Sequence, residues 1–292
     1  MAIEVSFVIP SHNEGENLRK TVHSLQNATQ GSYEIIVVDN GSTDGSSDFI
    51  EQQDTDCLRL VKNSERLGVS GARNLGAGLA RGAQLVFLDA HILFPPGWLR
   101  PLLDALAQEE VGIAAPGVSA WGNAGAKGYG MRWRNTRLDV EWLGRRSAAP
   151  YPVPMLPGLC LAFRTDFFRQ IGAFDPGMLS YGSEDLEICL RTWLLGCQVV
   201  IVPGVEISHL FRHRHPYAVN WSEVLYNSLR TVYAHFNEAR AGRVVAAMRS
   251  YPAFGEAFER VQGSDIWERK RCLEQERRYD DDWFFGRFGP AL

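Results

Sequence analysis

Strand-like apolar runs alternate with helix-like stretches through the first hundred residues, and this alternation restricts the fold more than any other feature of the chain. Residues 5–10, 33–38, 58–61 and 86–88 are mostly apolar, the pattern of strands covered on both faces. After the first run, Leu18, Val22 and Leu25 share one side of a helix, and a second helix is expected over 70–81. Repeated strand–helix units predict an α/β fold with a mostly parallel central sheet and helices on both faces. A helix at 98–106 and strands at 111–116, 159–163, 199–202 and 205–208 continue the pattern. Ser11 to Glu14 has the spacing of a capping box, and Ser183 is a candidate N-cap. Residues 119–157, rich in glycine, proline, arginine and tryptophan, read as a long irregular insertion. From 220 the pattern is helical. The expected division is therefore 1–219, with the insertion at 119–157, and a helical extension at 220–292.

Composition narrows the partners. A formal net charge of -4 argues against a general nucleic-acid binder. No apolar run approaches the ~20 residues of a transmembrane segment, and the chain enters its first strand without a basic leader. Five cysteines without a CxxC pair read as reduced thiols. The expected location is cytoplasmic.

Chemistry concentrates where strands end. In Val86-Phe87-Leu88-Asp89-Ala90-His91, residues two apart on an extended chain point the same way. Asp89 and His91 would emerge together at a strand's C-terminal end, where open α/β sheets bind ligands. A carboxylate and an imidazole suit a divalent cation such as Mn²⁺ (or Mg²⁺); an N-cap at Asp89 with a surface His91 is the alternative. His209 ends a later strand and is placed to be a third ligand. Asp39 opens the loop Asp39-Asn40-Gly41-Ser42-Thr43-Asp44-Gly45, either a turn with an N-cap or an acceptor for a base or ribose. Glu184 and Asp185 stand at a helix start, where acids are favourable; one of them is otherwise a general base. Residues 209–217 hold three histidines and two arginines, a solvated loop or one that grips a leaving diphosphate. Gly76-Ala77-Gly78 continues to Gly82 rather than giving GxGxxG and falls within a helix, and no Walker A sequence occurs, so dinucleotide and P-loop readings fail. Trp121, Trp133 and Trp142 form either an acceptor platform or a packing cluster. The aromatic tail from Trp283 to Phe288 reads as a clasp on the protein's own surface.

Together these segments resemble glycosyltransferases of the GT-A fold. The family-2 pattern lies in Val8-Ile9-Pro10 to Asn13-Glu14, Val38-Asp39-Asn40-Gly41-Ser42-Thr43-Asp44, Ala72-Arg73-Asn74 and Glu184-Asp185. A closer likeness, over about residues 5–240, is to the catalytic domain of polypeptide N-acetylgalactosaminyltransferases. It rests on His12-Asn13-Glu14, Thr21-Val22-His23-Ser24, Phe87-Leu88-Asp89-Ala90-His91, residues 182–193, His209-Leu210-Phe211-Arg212 and His215-Pro216-Tyr217. The resemblance implies Asp89, His91 and His209 as Mn²⁺ ligands completed by the donor's diphosphate. It implies Pro10, His12, Glu14, Asp39 and Arg73 around the nucleotide, and Arg212, His215 and Tyr217 in a loop closing over the diphosphate. The insertion then lies on the acceptor side. Two departures stand out: those transferases have Glu-Asn where this chain has Glu184-Asp185, and usually Trp at Tyr181. Retention of configuration follows from the overall likeness and inversion from Asp185 as base, so stereochemistry stays open. The expected reaction moves a sugar, an N-acetylhexosamine, from UDP to a hydroxyl of a peptide, natural product or glycan. The alternatives are a silent nucleotide-sugar binding module and a sugar-phosphate nucleotidyltransferase, whose usual glycine-rich opening Pro10 to Glu14 does not match.

Overall fold

The computed structural model of the chain describes residues 2–53, 57–212, 217–290 and 292. Its first part repeats strand and helix: β1 (Val5–Ser11), α1 (Glu16–Ala28), β2 (Tyr33–Asn40), α2 (Asp48–Glu51), β3 (Leu58–Asn63), α3 (Gly68–Leu79) and β4 (Gln84–Leu88). There follow β5 (Ile92–Leu93), α4 (Arg100–Leu106), β6 (Val111–Ala120), β7 (Asn123–Gly128), β8 (Met131–Trp133), β9 (Val140–Trp142) and β10 (Tyr151–Pro152). Next come β11 (Cys160–Arg164), α5 (Thr165–Gln170), α6 (Glu184–Leu194) and β12 (Gln198–His209). The chain closes with α7 (Trp221–His235), α8 (Glu238–Met248), α9 (Phe254–Gln262), α10 (Ile266–Glu276) and α11 (Asp281–Phe288).

The main sheet runs β10-β12-β6-β11-β4-β1-β2-β3, with β5 on β12 and β7 on β6. Side-chain alternation along the parallel strands supplies both faces. Phe7, Ile9, Ile35, Val37, Val86 and Leu88 meet α1, α2 and α4 through Leu18, Val22, Phe49 and Leu102. Val8, Ile36, Val38, Leu85 and Phe87 meet α3, α5 and α6 through Ala72, Ala77, Phe168 and Ile188. Each large apolar side chain fully buried this way stabilises the fold by about 1.5–3 kcal/mol. A Cβ at Gly76 would collide with the Val8 side chain, so that glycine serves close packing of α3 on β1, which explains it without a nucleotide.

Several local expectations change. The α/β class holds, but the sheet is mixed rather than mostly parallel. The order β4-β1-β2-β3 is parallel, whereas β11 runs antiparallel to both β4 and β6. The two closing strands are one, β12, with a register shift between Val202 and Glu206. The insertion is not irregular throughout: β7 pairs with β6, and β8 and β9 form a hairpin. These strands are too short and too rich in glycine and charge to show a period. The capping box does not form. Ser11 ends β1, and α1 starts at Glu16 after Gly15 with no side-chain cap. Asn13 and Gly15 have φ of +54° and +53°, and this turn is held instead by the 39–45 loop. Asn13 Oδ1 accepts from Thr43 N–H at 2.8 Å, and Asp44 Oδ2 accepts from Gly15 N–H at 2.9 Å. Ser183 is left-handed (φ +68°) and caps nothing through its side chain; its hydroxyl lies 3.0 Å from that of Ser228 on α7.

The C-terminal helices share the apolar cluster of α6, through Leu229, Val232, Phe236, Val244 and Phe284. The aromatic tail is a clasp on the chain itself. Phe285 stacks on buried Trp133 (centroids 5.9 Å apart), and Phe288 packs on Trp193 at 4.9 Å. Among the described residues no helix is long and apolar enough to cross a membrane.

Candidate active site

Strand ends build the site. β4 delivers Asp89, whose N–H donates to the Leu159 carbonyl at 2.9 Å. β5 then runs antiparallel to the end of β12 and sets Ile92 beside His209, while Leu210 N–H donates to the His91 carbonyl at 3.1 Å. Two hydroxyls of α1 hold β5 in place: Thr21 accepts from Ile92 N–H and Ser24 from Phe94 N–H, both at 2.9 Å. In this way two residues from one strand end and one from 120 positions later meet.

Ligating atoms of Asp89, His91 and His209 lie within 4.8 Å of one another. Asp89 Oδ2 is 3.3 Å from His209 Nε2, and the two imidazole centroids are 4.7 Å apart. Burial alone raises the Asp89 pKa, but His209, His91 and Arg73 around it outweigh that and hold it well below the usual carboxylate range. Among the described residues, buried Nδ1 of His91 and Nδ1 of His209 lack a hydrogen-bond partner. His91 Nδ1 is 3.3 Å from Glu14 Oε2 but out of line for a hydrogen bond. One carboxylate and two imidazoles so placed can hold a divalent cation.

Arg73 is the hub of the acidic groups and is 1 % exposed. It reaches Glu184 Oε1 at 3.2 Å, Asp89 Oδ1 at 3.4 Å and the Gly158 carbonyl at 2.6 Å. The second oxygen of Glu184 accepts from Gly182 N–H at 3.0 Å, so Glu184 is engaged on both sides. Asp185 accepts from Gly158 N–H at 2.8 Å and from its neighbour Leu186 N–H at 2.9 Å. Burial and the Glu184 carboxylate push its pKa up to about 7, against those N–H groups and Arg73. A Cβ at Gly158 would stand 3.1 Å from the Asp185 Cβ and 3.2 Å from the Arg73 guanidinium, so a bare backbone suits this junction.

A cleft of about 490 Å³ connects these groups with Pro10, His12, Glu14, Arg212 and Tyr217. Glu14 takes Arg212 through both oxygens, Nη1 donating to Oε1 at 3.1 Å and Nη2 to Oε2. Burial raises the Glu14 pKa, yet His91 and Arg212 together hold it below its ordinary value. His12 Nδ1 lies 3.0 Å from the Asn40 carbonyl, which can only accept, so this nitrogen carries the hydrogen. The His12 ring meets Tyr217 edge-on at 5.4 Å. Asp39 does not line the cleft: its buried carboxylate accepts from Ser42 N–H at 2.8 Å and from the Ser47 hydroxyl. His215 lies outside the described residues.

The family model "Glycosyl transferase family 2" matches residues 6–172, more than half of the chain. The chain belongs to this family. The model "N-terminal domain of galactosyltransferase" matches residues 144–216. Polypeptide N-acetylgalactosaminyltransferase 11 of Xenopus tropicalis is 30% identical over 256 residues, 80% of this chain and 43% of that protein. Polypeptide N-acetylgalactosaminyltransferase 6 of Homo sapiens is 29% identical over 98% of this chain and 50% of its own length. The chain thus spans about half the length of these relatives. The crystal structure of GalNAc-T7 with UDP, GalNAc and Mn²⁺ superposes with a TM-score of 0.80 at 24% identity, over 98% of this chain and 56% of that one. A mannosyltransferase from Pyrobaculum calidifontis in complex with GDP-Man and Mn²⁺ gives 0.56 at 18% identity, over 94% and 84%. The fold of this family-2 chain is therefore the GT-A fold.

Two ring contacts at the cleft are not legible in the sequence. Arg66 sits over the Tyr217 ring at 4.4 Å, and Phe211 meets Trp142 edge-on at 5.9 Å at the rim. The three insertion tryptophans separate: Trp133 is buried against Phe236 and Phe285, Trp142 lines the cleft, and Trp121 lies under Lys20. Alternation along the β8–β9 hairpin was the available clue, but three-residue strands are too short to reveal it.

Proposed function

We propose that this chain transfers a sugar, an N-acetylhexosamine, from a UDP donor to a hydroxyl acceptor in a metal-dependent reaction. The observation that carries the reading is the convergence of Asp89, His91 and His209 within 4.8 Å at the floor of the cleft. The donor set fits Mn²⁺, since carboxylate and imidazole both bind it. Each imidazole offers one ring nitrogen to such an ion, within 4.8 Å of the other ligand atoms. The atoms of the Asp89–His209 contact are also lone-pair donors once the shared proton leaves. A bound divalent cation would supply positive charge against the charge developing on the leaving diphosphate.

The remaining roles fall to the chain itself. Arg73 fixes Asp89 and Glu184 relative to one another. Pro10 and His12 belong to the nucleotide end, Asp39 supports it from behind by holding the 39–45 loop through Ser42 and Ser47, and Glu14 aims Arg212 across the cleft toward the phosphates, with Tyr217 and, by resemblance, His215. Asp185 takes the acceptor's proton, which makes the reaction inverting. The N-acetylhexosamine and a peptide acceptor are supported by the relatives' names and UDP by the ligand of the GalNAc-T7 structure; a natural product or glycan offers the same hydroxyl chemistry. The catalytic unit is 1–219, with 119–157 on the acceptor side and 220–292 supporting it. A cytoplasmic setting belongs to the same proposal, supported by five unpaired cysteines.

Calorimetric titration of UDP into the full chain, with and without Mn²⁺, tests the reading. Binding is expected only with the metal. His209→Ala should weaken it about 100-fold, the upper end of what loss of a mere supporting contact costs, at an unchanged melting temperature. UDP binding indifferent to EDTA would overturn the metal centre.

A further inference from the structure

The β8–β9 hairpin separates two cavities. Its register pairs Met131 with Trp142 and Trp133 with Val140, and puts Arg132 and Glu141 together on the opposite side. Met131, Val140 and Trp142 line the donor cleft. Behind them lies a second cavity of about 380 Å³, bounded by Arg132, Arg145, Arg146 and, from α11, Arg287. Leu143, Pro154 and Phe288 supply its apolar surface. Trp142 and Leu143 are consecutive, one in each cavity.

Positive charge here is concentrated and largely uncompensated. Residues 119–157 hold six basic and two acidic side chains, in a chain of net charge -4. Arg132 is paired with Glu141. Among the described residues no ion pair joins Arg145, Arg146 or Arg287 to a carboxylate. Glu206, which feels the Arg145 charge, is already bound by Lys127 at 2.7 Å. Asp281 and Asp282 at the start of α11 are committed to Arg240. Each of the three exposed guanidinium groups lies over an aromatic ring, Arg145 over Tyr129 at 5.9 Å, Arg146 over Tyr151 at 5.0 Å and Arg287 over Trp193 at 5.5 Å. Ordering before binding lowers the entropic cost of engaging a ligand.

We propose that this cavity docks an acidic peptide segment of the acceptor, with clustered carboxylates beside an apolar side chain and remote from the hydroxyl that receives the sugar. Guanidinium groups match carboxylates in fork geometry, and the apolar surface favours a peptide over a bare inorganic anion. The docking itself is independent of the chemistry in the cleft; only its assignment to an acceptor rests on the transferase reading.

The probe is a labelled, N-acetylated Glu-Glu-Leu-Glu-Glu peptide, followed by fluorescence anisotropy with the full chain. Binding is expected to weaken with salt, to be absent for Lys-Lys-Leu-Lys-Lys, and to fall when the leucine becomes serine. Arg145→Ala with Arg146→Ala should weaken it about tenfold or more, leaving UDP affinity in Mn²⁺ unchanged. Equal binding of the acidic and basic peptides, acidic binding indifferent to the double substitution, or binding of a labelled heparin fragment with no acidic-peptide binding would each overturn the proposal. The salt and leucine series use unaltered protein, so misfolding of the variant does not shield it. Peptide binding without any UDP binding would sink the transferase reading and leave the docking site standing.

Discussion

Two charged clusters lie on either side of α6, and they are built oppositely from the same residue types. On the cleft side, Asp89, His91 and His209 line the cavity, with side-chain exposures of 29%, 16% and 11%; Nδ1 of His209 has no partner, and Nδ1 of His91 has only the off-line Glu14 carboxylate at 3.3 Å. Behind α6, Glu187 binds Arg191 at 2.8 Å, His235 at 2.9 Å and Arg269 at 3.3 Å. Asp175 binds Arg230 at 2.8 Å and Arg269 at 2.9 Å, and Arg230 also reaches Asp265 at 2.6 Å. Every carboxylate and guanidinium in this second cluster has an opposite charge in contact, although Arg269 Nε is out of line with its carboxylate. The closed cluster joins α6 to α7 and α10; the open one has unused bonding capacity facing a cleft. Unmet bonding capacity in a concave site separates a functional cluster from a structural one better than charge content does.

Asp185 and Glu187 sharpen that contrast, because they sit two residues apart on one helix with opposite shifts. Asp185 is pushed up to about 7 by burial and Glu184. For Glu187, burial pulls the same way, but Arg191, His235 and Arg269 hold it well below its ordinary value. The largest expected effect is therefore catalytic. Asp185→Asn should lower sugar transfer about 10²–10⁴-fold, the usual worth of a general base, while UDP binding persists. A carboxylate raised in the folded state stabilises least when ionised, so the neutral isostere should not lower stability at pH 8. Transfer that survives the substitution would remove Asp185 as base and restore retention as the better reading.

Glu187→Ala comes next and should act on the other axis. Removing one partner of a buried pair costs about 3–5 kcal/mol, because Arg191, at 2% side-chain exposure, and Arg269 lose a counter-charge, and His235, whose pKa burial lowers, loses its hydrogen-bond partner. Urea titration is expected to show that loss at pH 7. Stability from a depressed carboxylate is present above its unfolded pKa and disappears as pH falls below about 4.5, so wild type and variant should converge in acid. A variant as stable as wild type at pH 7 would mean the closed cluster is not what holds α6.

Legibility in the sequence followed the same divide. Asp89 and His91 were readable as the residues that follow a buried strand, although β4 stops at Leu88 and the bend at 90–91, not strand alternation, brings them together. His209 was readable as a strand end, and its meeting with them only through the family resemblance, since the antiparallel β5–β12 contact leaves no local trace. The parallel half of the sheet was visible in unbroken apolar runs. The antiparallel β11, the single long β12 and the hairpin at 131–142 were not, because their pairings are non-local or their strands too short for a period. Glu187 carries no signal of its role: beyond Arg191 on its own helix, its partners come from helices 48 and 82 residues away. The capping box was misread because Asn13 and Gly15 adopt positive φ to meet the 39–45 loop, a tertiary demand that outweighs local spacing.

The smallest effect is the most diagnostic for the open cluster. If Asp185 is the base, it must be ionised to accept a proton, so kcat/KM should rise with pH through a limb centred near 7 and fall about tenfold per unit below it. The window is separate from that of Glu187, whose ionisation is complete well below it. Measuring the profile at saturating Mn²⁺ and UDP-sugar separates this limb from loss of metal ligation, which would show instead as a pH-dependent donor KM. Glu184→Gln supplies the internal check. Removing the neighbouring negative charge takes away a cause of the raised pKa, so the limb should move to lower pH while its plateau holds. A limb that stays near 7 in that variant would assign the titration to another group and break the contrast between the two acids of α6.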